Sequence, residues 1–96
     1  IVAYEPQWAI GASEPASAEH TGGVCRRIRE WLAARPATAG SRVIYGGSAQ
    51  PGTFAAIRDT AGEPAAVPDG VFMARFGLDP KDFVTVVAEV RSQGKP

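Results

Sequence analysis

A glutamate that closes a short apolar run and is followed at once by proline is an unusual place for a charge. In Ile1-Val2-Ala3-Tyr4-Glu5-Pro6-Gln7-Trp8-Ala9-Ile10-Gly11 the first four residues have the shortness, apolarity and partial β-branching of a buried strand. Glu5 falls at its C-terminal end, and Pro6 fixes the backbone and blocks a simple passage into helix. In a low-dielectric pocket such a carboxyl has its pKa raised toward neutrality and serves as a general base. Alternatively, it is a strand-exit glutamate paired with a surface arginine. A second feature is Gly46-Gly47-Ser48, which follows the apolar Val43-Ile44-Tyr45. Without bulky side chains, its backbone N–H groups can approach an anion closely, and Ser48 adds a hydroxyl near a helix N-terminus. The plainer reading is a tight turn with a capping serine. His20 reads as a solvated helix residue, and Cys25 as a small helix residue with nothing nearby to lower its pKa. No His, Cys and Asp cluster has metal-ligand spacing, so neither a metal nor a cofactor is expected.

The elements that must position these groups alternate. Residues 1–5 read as a strand and residues 6–16 as a loop. Ser17 is the expected N-cap of a helix over Ala18–Ala34, with Glu19 in its first turn where negative charge complements the dipole. Val24, Ile28 and Trp31/Leu32 form its apolar stripe, and Gly22-Gly23 weakens its first half. Val43–Tyr45 is a second strand. Pro51 fits the first turn of a second helix, with Phe54 and Ile57 on its apolar face. After a connection without periodicity over 61–68, Val71-Phe72-Met73 reads as the third strand. Pro80 starts a last helix whose Phe83, Val84, Val87 and Val90 are expected to face inward.

The order is therefore strand–helix three times, an α/β pattern whose strands must pair in parallel through crossover connections. Parallel sheets need both faces covered, and three helices cover one. The chain thus either pairs with something else or forms the last part of a larger α/β barrel. In such folds the sites lie at the C-terminal ends of the strands. Three segments fall there: Glu5–Ala16, Gly46–Gln50 and Ala74–Asp79.

Composition narrows the classes. The chain has 96 residues, 45% of them hydrophobic, and zero formal net charge, which offers no basic excess for nucleic acid and no polybasic patch for a membrane. No apolar run approaches the length of a spanning helix, and one cysteine allows no internal disulfide and suits a reducing, cytoplasmic setting. The first residue is Ile1, within or at the edge of a strand, which reads as a fragment or cleavage product.

"YEPQWAIG" followed some 40 residues later by "VIYGGS" resembles the triosephosphate isomerase family, and the resemblance runs over essentially the whole chain. It implies that the segment is the C-terminal portion, strands six to eight, of a TIM (β/α)8 barrel, a single partial domain over 1–96. It also implies that Glu5 is the catalytic base, moving a proton between adjacent carbons of a sugar phosphate. Pro6–Ala16 is then the lid, with Pro6-Gln7-Trp8 as its first hinge and Ile10 and Gly11 at its tip. Gly11 and Ser48 offer backbone N–H groups to the phosphate, and Tyr45 holds the closed lid, with Gly46 and Gly47 beside it. General accounts of pKa tuning and lid closure use triosephosphate isomerase as their example, so these roles are inherited with the resemblance.

Two departures stand out. Where the family has Gly-Gly after the last strand, this chain has Ala74-Arg75, followed by Phe76. Arg75 then either points away or sets a guanidinium beside the phosphate. The far hinge is Ser13-Glu14-Pro15, where the family has a glycine followed by lysine, and Pro15 stiffens it. These changes make the chain similar to paralogues that isomerise four-carbon ketose phosphates such as erythrulose phosphate. The resemblance implies a phosphorylated sugar as substrate, a place in glycolysis and gluconeogenesis, and a homodimer of the whole protein. Taken alone, the 96 residues lack the family's substrate-binding lysine and histidine electrophile and are expected to be inactive. They are also expected to associate with themselves or with an N-terminal part. A phosphate-binding half-barrel without catalysis is the non-enzyme alternative.

Overall fold

The computed structural model describes residues 1–92. Three short strands, β1 (Val2–Tyr4), β2 (Val43–Tyr45) and β3 (Gly70–Val71), form one parallel sheet in the order β1-β2-β3. The register sets Val2 beside Val43 and Tyr4 beside Tyr45, then Ile44 beside Gly70 and Tyr45 beside Val71. Helices α1 (Ala18–Ala33) and α2 (Thr53–Thr60) make the crossovers that parallel pairing requires, and α3 (Pro80–Ser92) follows the last strand.

Because side chains alternate along a strand, this register sorts the sheet into two faces. Val2 and Val43 meet Cys25, Ile28 and Leu32 of α1, while Tyr4, Tyr45 and Val71 gather with Met73, Ala16 and Ala49. On the opposite side Ala3 is exposed and Ile44 half-buried. The helices cover one face of the sheet.

The start of α1 follows from its cap: the Ser17 hydroxyl accepts the His20 N–H at 3.1 Å, and Glu19 lies in the first turn. The apolar stripe differs from the spacing argument. Cys25 and Leu32 are buried, while Trp31 is exposed and stacks under the Arg35 guanidinium, 3.6 Å from the ring centre. In α2 the helix begins at Thr53 instead of at Pro51, since Gly52 holds a left-handed φ of +93° and ends the preceding turn. No side chain of its own caps α2; the Glu89 carboxylate of α3 accepts the N–H groups of Gly52 (2.8 Å) and Ala55 (3.1 Å). The third strand is Gly70–Val71 instead of 71–73. Phe72 still donates its N–H to the Tyr45 carbonyl (2.9 Å), and then the chain turns at Ala74 into a 3-10 turn over Arg75–Gly77. In α3 the inward residue is Val86; Phe83, Val84 and Val87 are exposed and Val90 is half-buried. This helix packs on α2 and the 75–77 turn, and Phe83, Val87 and Val90 line with Val86 an open groove beside β3 in place of a closed core.

One carboxylate secures the N-terminal end of the sheet. Asp69 Oδ2 accepts the Val43 N–H (2.8 Å) and lies 3.1 Å from Arg29 Nη2, which also donates to the Val67 carbonyl (2.7 Å). Asp69 in turn donates its N–H to the Val43 carbonyl (2.7 Å), so β2, the entry to β3 and helix α1 share one junction. Burial pushes the neighbouring Cys25 thiol up, with Arg29 opposing, and the thiol stays in its inert form. Replacing Asp69 with alanine leaves the Val43 N–H without its acceptor and the Arg29 guanidinium without its counter-charge. The expected loss is about 2 kcal/mol, read as a lowered urea midpoint, with a smaller loss for Asp69→Asn. An unchanged midpoint for Asp69→Ala contradicts the role of the junction.

Candidate active site

At the other end of the sheet, the segments after the three strands converge. Glu5 directly follows β1 and is exposed, and none of the four ion pairs among the described residues includes it. The surface pairing that a strand-exit glutamate allows is therefore not formed. Its charge is near enough to Tyr45 to help raise the pKa of that phenol.

The 6–16 segment folds over the end of β2. Pro6 and Ala9 are buried, Ala9 donates its N–H to the Pro6 carbonyl (3.0 Å), and residues 7–9 make a 3-10 turn. Trp8 and Ile10 are 65% and 56% exposed, so the two large apolar side chains of this loop do not anchor it to the chain's own core. Polar ties do. The Tyr45 hydroxyl accepts the Ala16 N–H (2.9 Å) and donates to the Gly47 carbonyl (2.8 Å). The Ser48 hydroxyl shares its proton between the carbonyls of Ala9 (2.8 Å) and Ala12. Gln50 Nε2 reaches the Ser13 carbonyl at 3.0 Å, and Arg75 Nη2 reaches those of Gly11 (3.3 Å) and Ala12 (2.8 Å).

Two glycines allow close approaches here, Gly46 to the segment after β3 and Gly47 to the 6–16 loop. A Cβ on Gly46 would stand 1.9 Å from the tip of the Phe72 ring. Gly47 has φ +117°, and a Cβ there would come within 3.0 Å of the Ala9 Cβ and 3.2 Å of the Tyr45 hydroxyl. The bare Gly47 lets the loop lie directly on the end of β2, and the bare Gly46 makes room for the Phe72 ring.

The sequence-derived residues are thus drawn together, with some shifts of duty. Ser48 adopts φ +55°, the one non-glycine among the described residues in the left-handed region. Its hydroxyl is engaged with the 6–16 loop and does not cap a helix, because α2 starts only at Thr53. Ala74 has φ −106°, outside the left-handed range that favours glycine. Arg75 turns onto the loop carbonyls and lies 4.9 Å from the ring centre of Phe76. Three further participants leave little or no mark in the residue spacing. Gln50 ties the loop as described, and the Ala16 amide completes the Tyr45 pair. His20 is exposed, as a helix-surface residue should be, yet its Nε2 is 2.7 Å from the Tyr4 hydroxyl and its ring meets the Trp8 ring edge-on at 5.1 Å. A histidine in the first turn after a loop bearing a tryptophan is the only cue, and it is a weak one.

Burial is the main reason the Tyr45 phenol is pushed up, and the nearby Tyr4 and Glu5 act in the same direction, against the Ala16 N–H. The phenol therefore keeps its proton and its bond to Gly47.

Parallel βα units whose connecting loops gather at the C-terminal strand ends fit a segment of a TIM barrel. The family model described as triosephosphate isomerase matches residues 1–90, and the chain belongs to the triosephosphate isomerase family. It is 38% identical over 89 residues to an L-erythrulose-1-phosphate isomerase of Pectobacterium atrosepticum, covering 93% of this chain and 32% of that protein. It is 37% identical over 95 residues to a triosephosphate isomerase of Corynebacterium glutamicum (96% of this chain, 35% of that protein). A triosephosphate isomerase of Corynebacterium diphtheriae is 37% identical over 91 residues (92% and 33%). The chain spans about a third of the length of these relatives. Among the described residues no helix is long and apolar enough to cross a membrane.

Tyr45→Phe keeps the ring and removes both bonds. It is expected to destabilise the chain by about 1–3 kcal/mol and to speed hydrogen exchange at the Ala16 amide. The tie is also pH-dependent. With the folded pKa above tyrosine's ordinary value of about 10, the unfolded chain loses this proton first. The stabilisation is therefore full below the ordinary tyrosine range and falls as pH rises through the folded value. Urea midpoints measured from about pH 8 to about pH 11 should fall for the parent and fall less for Tyr45→Phe. Parallel curves contradict this account.

Proposed function

We propose that this chain is the C-terminal three βα units, strands six to eight, of a (β/α)8 barrel. The whole protein then interconverts an aldose and a ketose phosphate through an enediolate. The observation that carries the reading is Glu5 at the end of β1, in no ion pair among the described residues, near Tyr45 and at the start of a loop that side chains from the β2 and β3 segments hold down. A carboxylate there removes a proton from the carbon next to the carbonyl and returns it to the adjacent carbon. No covalent intermediate is needed, and one group serves both half-reactions. The 6–16 loop is the lid. An enediolate phosphate in water readily expels its phosphate, so a base for isomerisation needs enclosure.

In this reading the Gly11 N–H, the Ser48 N–H and the backbone at Ala74–Arg75 meet the substrate phosphate. The family's lysine and histidine electrophile come from the part of the barrel outside these 96 residues. The chain alone is then inactive, and the whole protein is a cytoplasmic homodimer. The first substrate reading is triose phosphate, dihydroxyacetone phosphate to glyceraldehyde 3-phosphate. A four-carbon ketose phosphate is the second, favoured by Arg75 in place of glycine at the strand end and by the relative from Pectobacterium atrosepticum.

In the complete barrel protein, Glu5→Asp is expected to lower kcat by roughly a hundredfold or more, while inorganic phosphate binds as before. Equal loss of turnover and phosphate affinity overturns the base assignment. Comparing kcat/KM for dihydroxyacetone phosphate and erythrulose phosphate on the parent protein decides the substrate.

A further inference from the structure

The ties that hold the 6–16 loop do not come from one place. Tyr45, Ser48 and Gln50 all belong to β2 and the turn after it, and they approach the loop from one side. Arg75 comes from the segment after β3 and reaches the loop across a separation of 63 and 64 residues in sequence. Its single Nη2 donates to two consecutive carbonyls, Gly11 and Ala12, and the Ala12 oxygen also accepts the Ser48 hydroxyl. At that oxygen, donors from the β2 and β3 segments converge. Gly11 holds φ +72°, a conformation that suits glycine, and in it the carbonyl is presented to Arg75. Contact with the Phe76 ring limits the rotamers of the guanidinium. Nε and Nη1 make no hydrogen bond among the described residues, so the guanidinium is committed to the loop alone.

We infer that Arg75 is a positioning residue, a latch that holds the 6–16 loop down from the β3 side and orients the peptides around Gly11. This rests on the isomerase reading of the whole protein. The latch works through the loop backbone and does not require Arg75 to touch substrate. Both acceptors are main-chain carbonyls, so the contact survives any change of loop side chain. A charged donor is also stronger than the neutral hydroxyl and amide on the other side. Holding two successive carbonyls fixes the planes of the Gly11–Ala12 and Ala12–Ser13 peptides, and with them the directions of the Ala12 and Ser13 N–H groups.

The test uses Arg75→Met, which keeps length and removes every donor, and Arg75→Lys, which keeps the charge, in the complete barrel protein. Two readouts are taken. One is hydrogen exchange of peptides spanning residues 8–16. The other is inorganic phosphate released per isomerisation turnover, the leak in which the C–O bond breaks and phosphate leaves the enediolate with the electron pair. Arg75→Met should raise both by roughly tenfold, the loss of one charge-assisted hydrogen bond, with Arg75→Lys intermediate. Unchanged exchange and unchanged leak overturn the latch. So does a fall in phosphate affinity without a change in leak, which makes Arg75 a phosphate ligand. If the parent protein isomerises neither substrate, the isomerase reading fails, and the exchange readout alone still decides the latch.

Discussion

The hydroxyl of Tyr45 lies between two backbone groups from different segments, the Ala16 N–H and the Gly47 carbonyl, and satisfies both at once. Tyr45 sits on the middle strand, buried, with its ring against Tyr4 and Val71 on either side. The sheet thus sets where the hydroxyl is, and the hydroxyl sets where the 6–16 loop ends and α1 begins. A phenylalanine would fill the same space, but it would leave two buried polar groups without partners, a loss larger than the hydrogen bonds alone suggest. Burial also keeps the phenol protonated, so the tie persists across the neutral range.

A surface loop normally settles its backbone carbonyls with water. Here the carbonyls of Ala9, Gly11, Ala12 and Ser13 are met by side chains from beyond β2 and β3. The loop's large apolar residues stay outside: Trp8 rests its edge on His20, and Ile10 faces solvent. A loop held by hydrogen bonds, with little apolar burial, can be released and restored at small cost in free energy, as opening and closing over a site require.

Much of this was legible in the residues. The alternation of short apolar runs with capped amphipathic stretches marked three parallel βα units, because period and punctuation are local properties. Glu5 and Gly46-Gly47-Ser48 stood out for the same reason. What stayed hidden depended on the third dimension. Phe83, Val84 and Val87 have helical spacing, yet which of them turns inward depends on what α3 packs against, and Val86 is the residue covered. Pro51 has the chemistry of a helix start, but the left-handed Gly52 one residue later moves the start to Thr53. Arg75 looked ambiguous because its partners are main-chain carbonyls, which every residue carries and no spacing reveals. His20 escaped for a similar reason, since its contacts with Tyr4 and Trp8 span a loop whose path composition does not record.

The carboxylate of Glu89 over the first turn of α2 gives this molecule an order in time. A helix that starts on glycine, with no cap of its own, leaves its leading amide groups to water until a distant residue arrives. As the chain emerges from the ribosome, residues 53–60 are made well before residue 89, and the turn that carries Ser48 and Gln50 is exposed in the interval. That helix, and the footing it gives the turn before it, is therefore completed late and from the C-terminal side. The strand-end machinery is set only once residue 89 has joined it.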